Sequence, residues 1–343
     1  MNYYKDNFKR ISQEYLTVFN HQWNNLLNGF VFRQHQFSTG NRLRPLIVLV
    51  GYLATKKGDK LSEDEYQYIS RLALSLEIIH KSSLILDDLI DDDPERHGEA
   101  AFHIEYGMEN TVMFAIHMLC VSIDNLNTLL SELPESHILK TKGLNLLLET
   151  MYNMSLGELK ELNLTKENLH DYECIKQIIN LQTAPLITNS LIFGYYAGNG
   201  NNENVKKTMN RIGNGCGYIF QIMNDMEPFC QQNKLKKHKG RVNIDISHAK
   251  KNIVFALMYN LLSLKEKEKI CLADNIEEIN YHLIKFFDEY KIKDSFMEEI
   301  QFVYLDIKNQ IPSLGEYGIS QEWCKLFEHF IDTLMEECKN RLI

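Results

Sequence analysis

Three aspartates, Asp87, Asp88 and Asp91, are the residues whose type and spacing most readily do chemistry. They close an apolar run, Leu72 to Leu86, that the pattern predicts to be one buried helix. At about 3.6 residues per turn, positions 87 and 91 (i, i+4) and 88 and 91 (i, i+3) share a face. Carboxylates that close repel one another unless a cation neutralises them. Hard oxygen donors of this kind suit Mg²⁺, which keeps some waters and fills the rest of its shell with substrate phosphates. Taken alone, a DDxxD is as readily a solvated acidic helix end. Here Arg96, His97 and His103 follow at once, and a basic cluster beside an acidic one is what a metal–diphosphate needs.

The elements that must position these groups read as helices. With 343 residues, 44% of them hydrophobic, the chain can bury a sizeable core. Its six prolines are few, and its long periodic apolar stretches lack the glycine-rich turns of a β-protein, so the class is mostly helical. Residues 3–30 read as an amphipathic helix or helix pair, 46–55 and 65–86 as two helices joined by a polar linker. Stretches 107–131 and 135–163 are also helical, and from about 253 amphipathic helices surround a loop at Pro312 to Gly318. No repeat or linker divides the chain, so 1–343 is expected to form a single domain. A net charge of −9 argues against nucleic acid as a partner and supplies no polybasic membrane anchor. The longest near-apolar run, Leu43 to Thr55, is too short to span a bilayer, so no transmembrane segment is expected. The start, MNYYKDNFKR, has no apolar signal core, so no export is expected. Seven cysteines without a CxxC pair are expected to be reduced and mostly buried in a cytoplasmic protein.

Taken in order and spacing, Asp87-Asp88-Leu89-Ile90-Asp91, Arg96-His97-Gly98, His103 and Tyr106-Gly107 resemble a known signature. It is that of the trans-isoprenyl diphosphate synthases, also called polyprenyl synthetases: DDxxD, a short spacer, Arg-Arg-Gly, a His and an aromatic-Gly. The resemblance covers roughly residues 38 to 262. It implies an all-α, single-domain isoprenoid synthase helical bundle with the active site in a central cavity, and a homodimer or a heteromer with another prenyl synthase. It also implies three Mg²⁺ ions, two held by Asp87, Asp88 and Asp91 and a third by Asp225 with Asn224. Arg96, Thr183, Gln221 and Lys250 would then face an allylic diphosphate, and Arg44, His80 and His97 isopentenyl diphosphate. Asp87, Asp88 and Arg96 are the residues it implies for catalysis.

Several positions depart from that pattern. Gly40-Asn41-Arg42-Leu43-Arg44-Pro45 resembles Gly-Lys-Arg-x-Arg-Pro with Asn41 in place of the Lys. Gly157-Glu158-Leu159-Lys160-Glu161 resembles Gly-Gln-x-x-Asp with both polar positions altered. Residues 171–199 resemble the helix that carries a Lys-Thr pair, with Thr183 kept and Gln182 in place of the Lys, and a neutral contact to diphosphate is about half as strong as a charge-assisted one. Phe220-Gln221-Ile222-Met223-Asn224-Asp225-Met226-Glu227-Pro228 resembles Phe-Gln-x-x-Asp-Asp-x-x-Asp with Asn224 and Pro228 at aspartate positions. Proline inside a helix costs about 3 kcal/mol, so Pro228 is expected to end or kink its helix. Lys234 to Arg241 reads as a solvated loop or a lid over diphosphate, and Asp245-Ile246 with Lys250 resembles Asp-Leu-x-x-Gly-Lys. Ser82 and Ser83 lie one turn above the aspartates, where relatives limit product length with a bulky aromatic; small residues favour a longer prenyl group.

The ionising half of the pattern is thus largely kept, while two cations of the acceptor half are gone, at Asn41 and His97. The reading preferred is a Mg²⁺-dependent prenyltransferase that condenses an allylic prenyl diphosphate with isopentenyl diphosphate to a longer polyprenyl diphosphate. Two others stay open: ionisation with a different acceptor, as in terpene cyclases or peptide-modifying relatives, and a non-catalytic partner subunit. The usual second metal motif of microbial cyclases is not met, because its later positions fall on Pro228 and Gln232.

Overall fold

A capping box starts the helix that carries the aspartates. In the computed structural model of the chain, Ser62 Oγ accepts from the Glu65 N–H (3.2 Å) and Glu65 Oε2 from the Ser62 N–H (2.9 Å). Glu63, Asp64 and Glu65 add negative charge at the positive end of the helix dipole. The structure describes residues 2–32, 37, 40–56, 60–96, 98–165, 171–230, 252–272 and 276–342.

The described elements begin with α1 (Asn2–Asn28), α2 (Leu43–Leu53) and α3 (Glu63–Ile90). A two-stranded hairpin follows, β1 (Glu95–Arg96) with β2 (Glu99–Ala100), then α4 (Phe102–Tyr106), α5 (Met108–Ser131) and α6 (Ile138–Leu162). Next come α7 (Tyr172–Gln182), α8 (Ala184–Ala197) and α9 (Glu203–Cys230). The rest is α10 (Ile253–Leu261), α11 (Leu264–Cys271), α12 (Ile276–Glu289), α13 (Ile292–Gln310), α14 (Ser313–Glu316) and α15 (Gln321–Arg341). The fold is all-α, as the resemblance implies, with one two-stranded hairpin among the described residues.

Two helices organise the interior. α8 is buried along its whole length and packs on α2, α6 and α9. Gly51 on α2 faces Gly194 on α8, where a side chain on either would run into the other backbone. α3 packs most heavily on α5, and also on α1 and α2. Leu72, Leu76, Ile78 and Ile85 are almost wholly buried, and at about 2 kcal/mol for each large apolar side chain they fix the rotation of α3. That rotation sends Asp88, one turn on from Ile85, inward as well.

Four expectations change. The 171–199 stretch is two helices, α7 and α8, broken at Thr183, because Pro185 starts a new helix rather than continuing one. α9 runs two residues past Pro228, to Cys230. α5 is long and apolar enough, by length and composition, to cross a membrane; scattered polar residues such as His117 hid it from a search for unbroken apolar runs. Its inner face packs on α3, with Ser82 Oγ donating to Ala115 O (3.0 Å) and Ser122 Oγ to Ser75 O (2.8 Å). Of the cysteines described, Cys324 and Cys338 are buried, Cys174, Cys216 and Cys230 are half-buried and Cys120 is exposed, and all six are free thiols. A small apolar cavity of about 20 Å³ lies among α2, α8, α9 and α15, and no candidate site residue lines it.

Candidate active site

The acid ridge stands at the C-terminal end of α3. Asp91 is the C-cap, its N–H donating to Asp87 O (2.8 Å). Asp92 adopts a left-handed φ of 52° and Asp93 N–H returns to Asp88 O (2.9 Å), so the chain reverses within three residues. The hairpin then lays Arg96 over the ridge. Arg96 Nε donates to Asp88 Oδ2 (2.6 Å), Nη2 makes a second, short contact with Asp88 Oδ1, and Nη2 reaches Asp87 Oδ2 (3.4 Å). The Asp88 side chain is 2% exposed and that of Asp87 46%. Burial pushes the Asp88 carboxyl above its usual range, although the Arg96 hydrogen bond and charge pull the other way. Burial also works against the Arg96 charge, but Asp88, Asp87 and Asp93 outweigh it and the guanidinium holds its proton more tightly than usual. His103 is buried on α4, 3.9 Å from Asp92, and neither ring nitrogen has a hydrogen-bond partner among the described residues.

A cationic corner lies one to two turns back along α3. His80 is pushed well below its usual pKa by burial and by the charges of Arg44, Lys81, Arg96 and Arg42, which favours its neutral form. The Arg44 guanidinium is lowered to about 10 by burial, with Glu77 opposing, and its Nε has no hydrogen-bond partner among the described residues. Lys81 is buried in the same corner. Arg42 has a structural task instead: Nη1 donates to Glu77 Oε1 (3.0 Å), Nη2 to Phe37 O (3.2 Å), and the guanidinium lies over the Trp23 ring at 5.2 Å. Asn41 is exposed, and its Oδ1 accepts from the Leu43 N–H at the start of α2 (3.4 Å).

The remaining candidates form a hydrogen-bonded chain across the ends of three helices. Thr183 Oγ1 donates to Gln221 Oε1 (2.8 Å), and Gln221 Nε2 donates to Asp225 Oδ1 (2.8 Å). Asp225 Oδ2 accepts from the Ile253 N–H (2.9 Å), anchoring the first turn of α10. Asp225 is buried whereas Asn224 is exposed. Gln182 spends its amide on α6, Nε2 donating to Glu158 Oε2 (2.8 Å) and to Glu161 Oε2 (2.7 Å).

With this geometry in place, the comparisons with known proteins are decisive. A family model described as polyprenyl synthetase matches residues 31–282. The chain belongs to that family. It is 25% identical over 235 residues to a short chain isoprenyl diphosphate synthase of Methanocaldococcus jannaschii, covering 68% of this chain and 66% of the relative. It is 27% identical over 250 residues to heptaprenyl diphosphate synthase component 2 of Bacillus subtilis, covering 70% and 66%. The match therefore spans just under two thirds of the length of each. A crystal structure of a polyprenyl synthase from Caulobacter crescentus, complexed with calcium and isoprenyl diphosphate, superposes with a TM-score of 0.76 at 17% identity over 96% of both chains. A geranylgeranyl pyrophosphate synthase structure gives a TM-score of 0.73 at 17% identity over 98% and 99%. These likenesses show the isoprenoid synthase fold.

In this member of the family the structure brings Asp87, Asp88 and Arg96 together at the end of α3, with Asp91 one turn on, and sets Arg44 and His80 behind them. Thr183, Gln221 and Asp225 form a second group. His97, Lys250 and the Lys234–Arg241 loop lie outside the described residues. Among the described residues no three His, Cys, Asp or Glu side chains converge as a closed metal cage. Mg²⁺ does not need one, since it binds through one or two carboxylates and completes its shell with water and phosphate. The half-exposed Asp87 and its neighbours Asp88 and Asp91 are oxygen donors that fit such an ion. Both Asp88 oxygens accept from Arg96, just as both Asp225 oxygens accept from Gln221 and the Ile253 N–H, so of these three carboxylates Asp87 is the one most open to an ion. Sequence reasoning missed Lys81 and the pairing of Gln182 with Glu158 and Glu161. The signal for the first was a lysine inside an apolar run, and for the second three linked departures from the family pattern.

Proposed function

We propose that this polyprenyl synthetase ionises an allylic prenyl diphosphate and joins the prenyl group to isopentenyl diphosphate. The allylic C–O bond breaks, a C–C bond forms to the terminal alkene carbon of the acceptor, and the proton lost passes to the departing pyrophosphate. The observation that carries this reading is electrostatic. Arg96, bonded to the aspartates, also acts on His80 beside Arg44, so an acid half and a cationic half form one unit suited to two diphosphates.

Asp87, Asp88 and Asp91 would hold Mg²⁺, which when bound supplies Lewis-acid neutralisation of the leaving group. Arg96, its charge secured by Asp88, stabilises the negative charge that grows on the departing diphosphate. Neutral His80 offers one N–H, and Arg44 offers an Nε–H that has no hydrogen-bond partner among the described residues. Thr183 and Gln221 are proposed to meet the allylic diphosphate, together with Lys250. The third ion proposed at Asn224 and Asp225 rests on the resemblance alone. Small Ser82 and Ser83 favour a longer product.

A second copy of the chain is the proposed partner, across an outer α5 face on which Met108, Val112, Met113 and Ile116 are exposed. The acceptor corner is cation-rich, which favours elongation over a cyclase that would leave it without a task.

The test is a product assay with Mg²⁺ and geranyl, farnesyl or geranylgeranyl diphosphate, each with and without isopentenyl diphosphate. Longer diphosphates that appear only with isopentenyl diphosphate are expected. Pyrophosphate release with a hydrocarbon or alcohol, indifferent to isopentenyl diphosphate, would overturn elongation in favour of a changed acceptor. No turnover would point to a non-catalytic subunit.

A further inference from the structure

Arg42 holds a backbone conformation that needs a reason. Its φ is 51°, left-handed, at the N-cap of α2. A residue with a side chain rarely keeps that region unless its surroundings impose it. Here they act from three directions. Nε donates to Asn20 Oδ1 (3.2 Å) on α1, Nη1 to Glu77 Oε1 (3.0 Å) on α3, and Nη2 to Phe37 O (3.2 Å) in the chain that leads into α2. The buried Phe19 and Trp23 rings of α1 stack on each other at 6.3 Å, and the guanidinium lies over them at 5.9 and 5.2 Å. Trp23 Nε1 donates to the same Phe37 O (2.8 Å), so α1 fixes that acceptor as well.

Two links carry this clamp into the acceptor corner. Arg42 O accepts from the Leu46 N–H (3.1 Å), closing the first turn of α2, and Arg44 stands in that turn. Glu77, which holds Arg42, lies one turn before His80 on α3, and its charge also supports that of Arg44. α1 precedes residues 31–282, over which the family model matches.

We propose that Arg42 is a positioning residue: clamped by Asn20 and Trp23 of α1 and by Glu77 of α3, it aims the Arg44 guanidinium at the diphosphate of isopentenyl diphosphate. The N-terminal helix is then part of the acceptor site. The proposal rests on the reading of Arg44 as an acceptor ligand and adds what holds that ligand in place. Arg42 spends these three donors inside the protein, so it acts through Arg44 rather than on substrate. A planar guanidinium serves three acceptors in fixed directions, which an ammonium on a flexible stem does not. With the clamp loosened, Arg44 loses its single orientation and acceptor binding falls, while the ionising half is untouched.

The experiment is calorimetric titration of the full chain with isopentenyl diphosphate, which needs no turnover, beside steady-state kinetics with farnesyl diphosphate as the allylic substrate. Arg42→Lys is expected to weaken isopentenyl diphosphate binding, and to raise its KM, by about tenfold. The kcat and the KM for farnesyl diphosphate should stay within about twofold. Arg42→Gly with Glu77→Gln keeps the left-handed turn and removes the carboxylate that Arg42 held, and it carries the same expectation if the lysine variant does not fold. On α1, Asn20→Leu should cost about threefold, and Asn20→Asp, which keeps the acceptor oxygen, should stay within about twofold of the wild type. Coupling is the deciding readout: in an Arg44→Gln background, Arg42→Lys should cost less than about twofold more, because its effect runs through Arg44.

Independent, additive losses from Arg42→Lys and Arg44→Gln would overturn the assignment and leave Arg42 a purely structural residue. So would an Arg42→Lys variant that binds isopentenyl diphosphate as the wild type does, equal losses for both diphosphates, or a wild type that does not bind isopentenyl diphosphate. A wild type that binds through the coupled arginines yet makes no longer product would sink elongation and leave the positioning role in place. Elongation that is indifferent to Arg42 would do the reverse.

Discussion

Asp87 and Asp88 are chain neighbours in different surroundings, and their asparagine variants should part company. Asp88 is buried beneath Arg96, so Asp88→Asn leaves a mostly buried guanidinium without its full counter-charge, at a cost of about 3 kcal/mol in stability. Asp87 is half in water and touches Arg96 only at 3.4 Å, so Asp87→Asn should cost less than about 1 kcal/mol. Both should lower turnover by at least about 10²-fold, the scale of losing one preorganised charge-stabilising group. Urea unfolding and product assays on the two variants check this; equal stability losses, or turnover that survives, would count against the site. His80 adds a pH signature. Burial, Arg44, Lys81, Arg96 and Arg42 depress its pKa, so the unfolded chain takes up a proton that the folded chain refuses. Its share of stability is therefore present above about pH 6.5 and is lost as the pH falls towards the depressed value. His80→Gln should flatten the acid side of the stability–pH curve relative to wild type, and parallel curves would contradict the neutral imidazole.

At the scale of elements, the α6–α7 contact explains why the missing lysine at position 182 is not a simple loss. Gly157 lets the end of α7 approach α6 closely, since a side chain there would strike the Gln182 stem. Gln182 then bridges two carboxylates. Gln182→Lys alone should leave the KM for the allylic diphosphate within about twofold, because Glu158 and Glu161 capture the ammonium. Gln182→Lys with Glu158→Gln frees part of that charge and should lower the KM by about three- to tenfold. Steady-state kinetics on the pair decides it, and a large gain from the single variant would show that the acids do not hold position 182. The sequence made the helices legible because apolar periodicity reports burial directly: α3, α5 and α6 fall where the pattern puts them. It made the acid ridge legible because i, i+3 and i, i+4 spacing is a local fact. Asp225 was not legible as the anchor of α10, since its partner amide lies 28 residues away in the chain. Lys81 was missed for the same reason, as only tertiary packing brings Gly40 and α3 together.

For the whole molecule, the faces of α5 differ in what covers them. The inner face is fixed to α3 by Ser82–Ala115 and Ser122–Ser75 hydrogen bonds. The outer face exposes Met108, Val112, Ile116 and Cys120 at successive fourth positions, with Met113 beside them. Leu148 and Tyr152 of the adjacent α6 are exposed as well. A stripe of this kind left in water is costly, and a two-fold copy covers it with the same residues on both sides. Because α3 carries the aspartates and leans on α5, pairing across α5 would also stiffen the acid ridge. Met113→Lys with Ile116→Lys should convert a dimer to a monomer in sedimentation velocity while leaving the helical circular dichroism intact. Turnover should fall in the monomer, and Asp87→Asn in the dimer should not change its mass. A wild type that sediments as a monomer, or a doubly charged variant that still pairs, would reject α5 as the contact. Mass recovered only after mixing with a second prenyl synthase would make the partner a different chain.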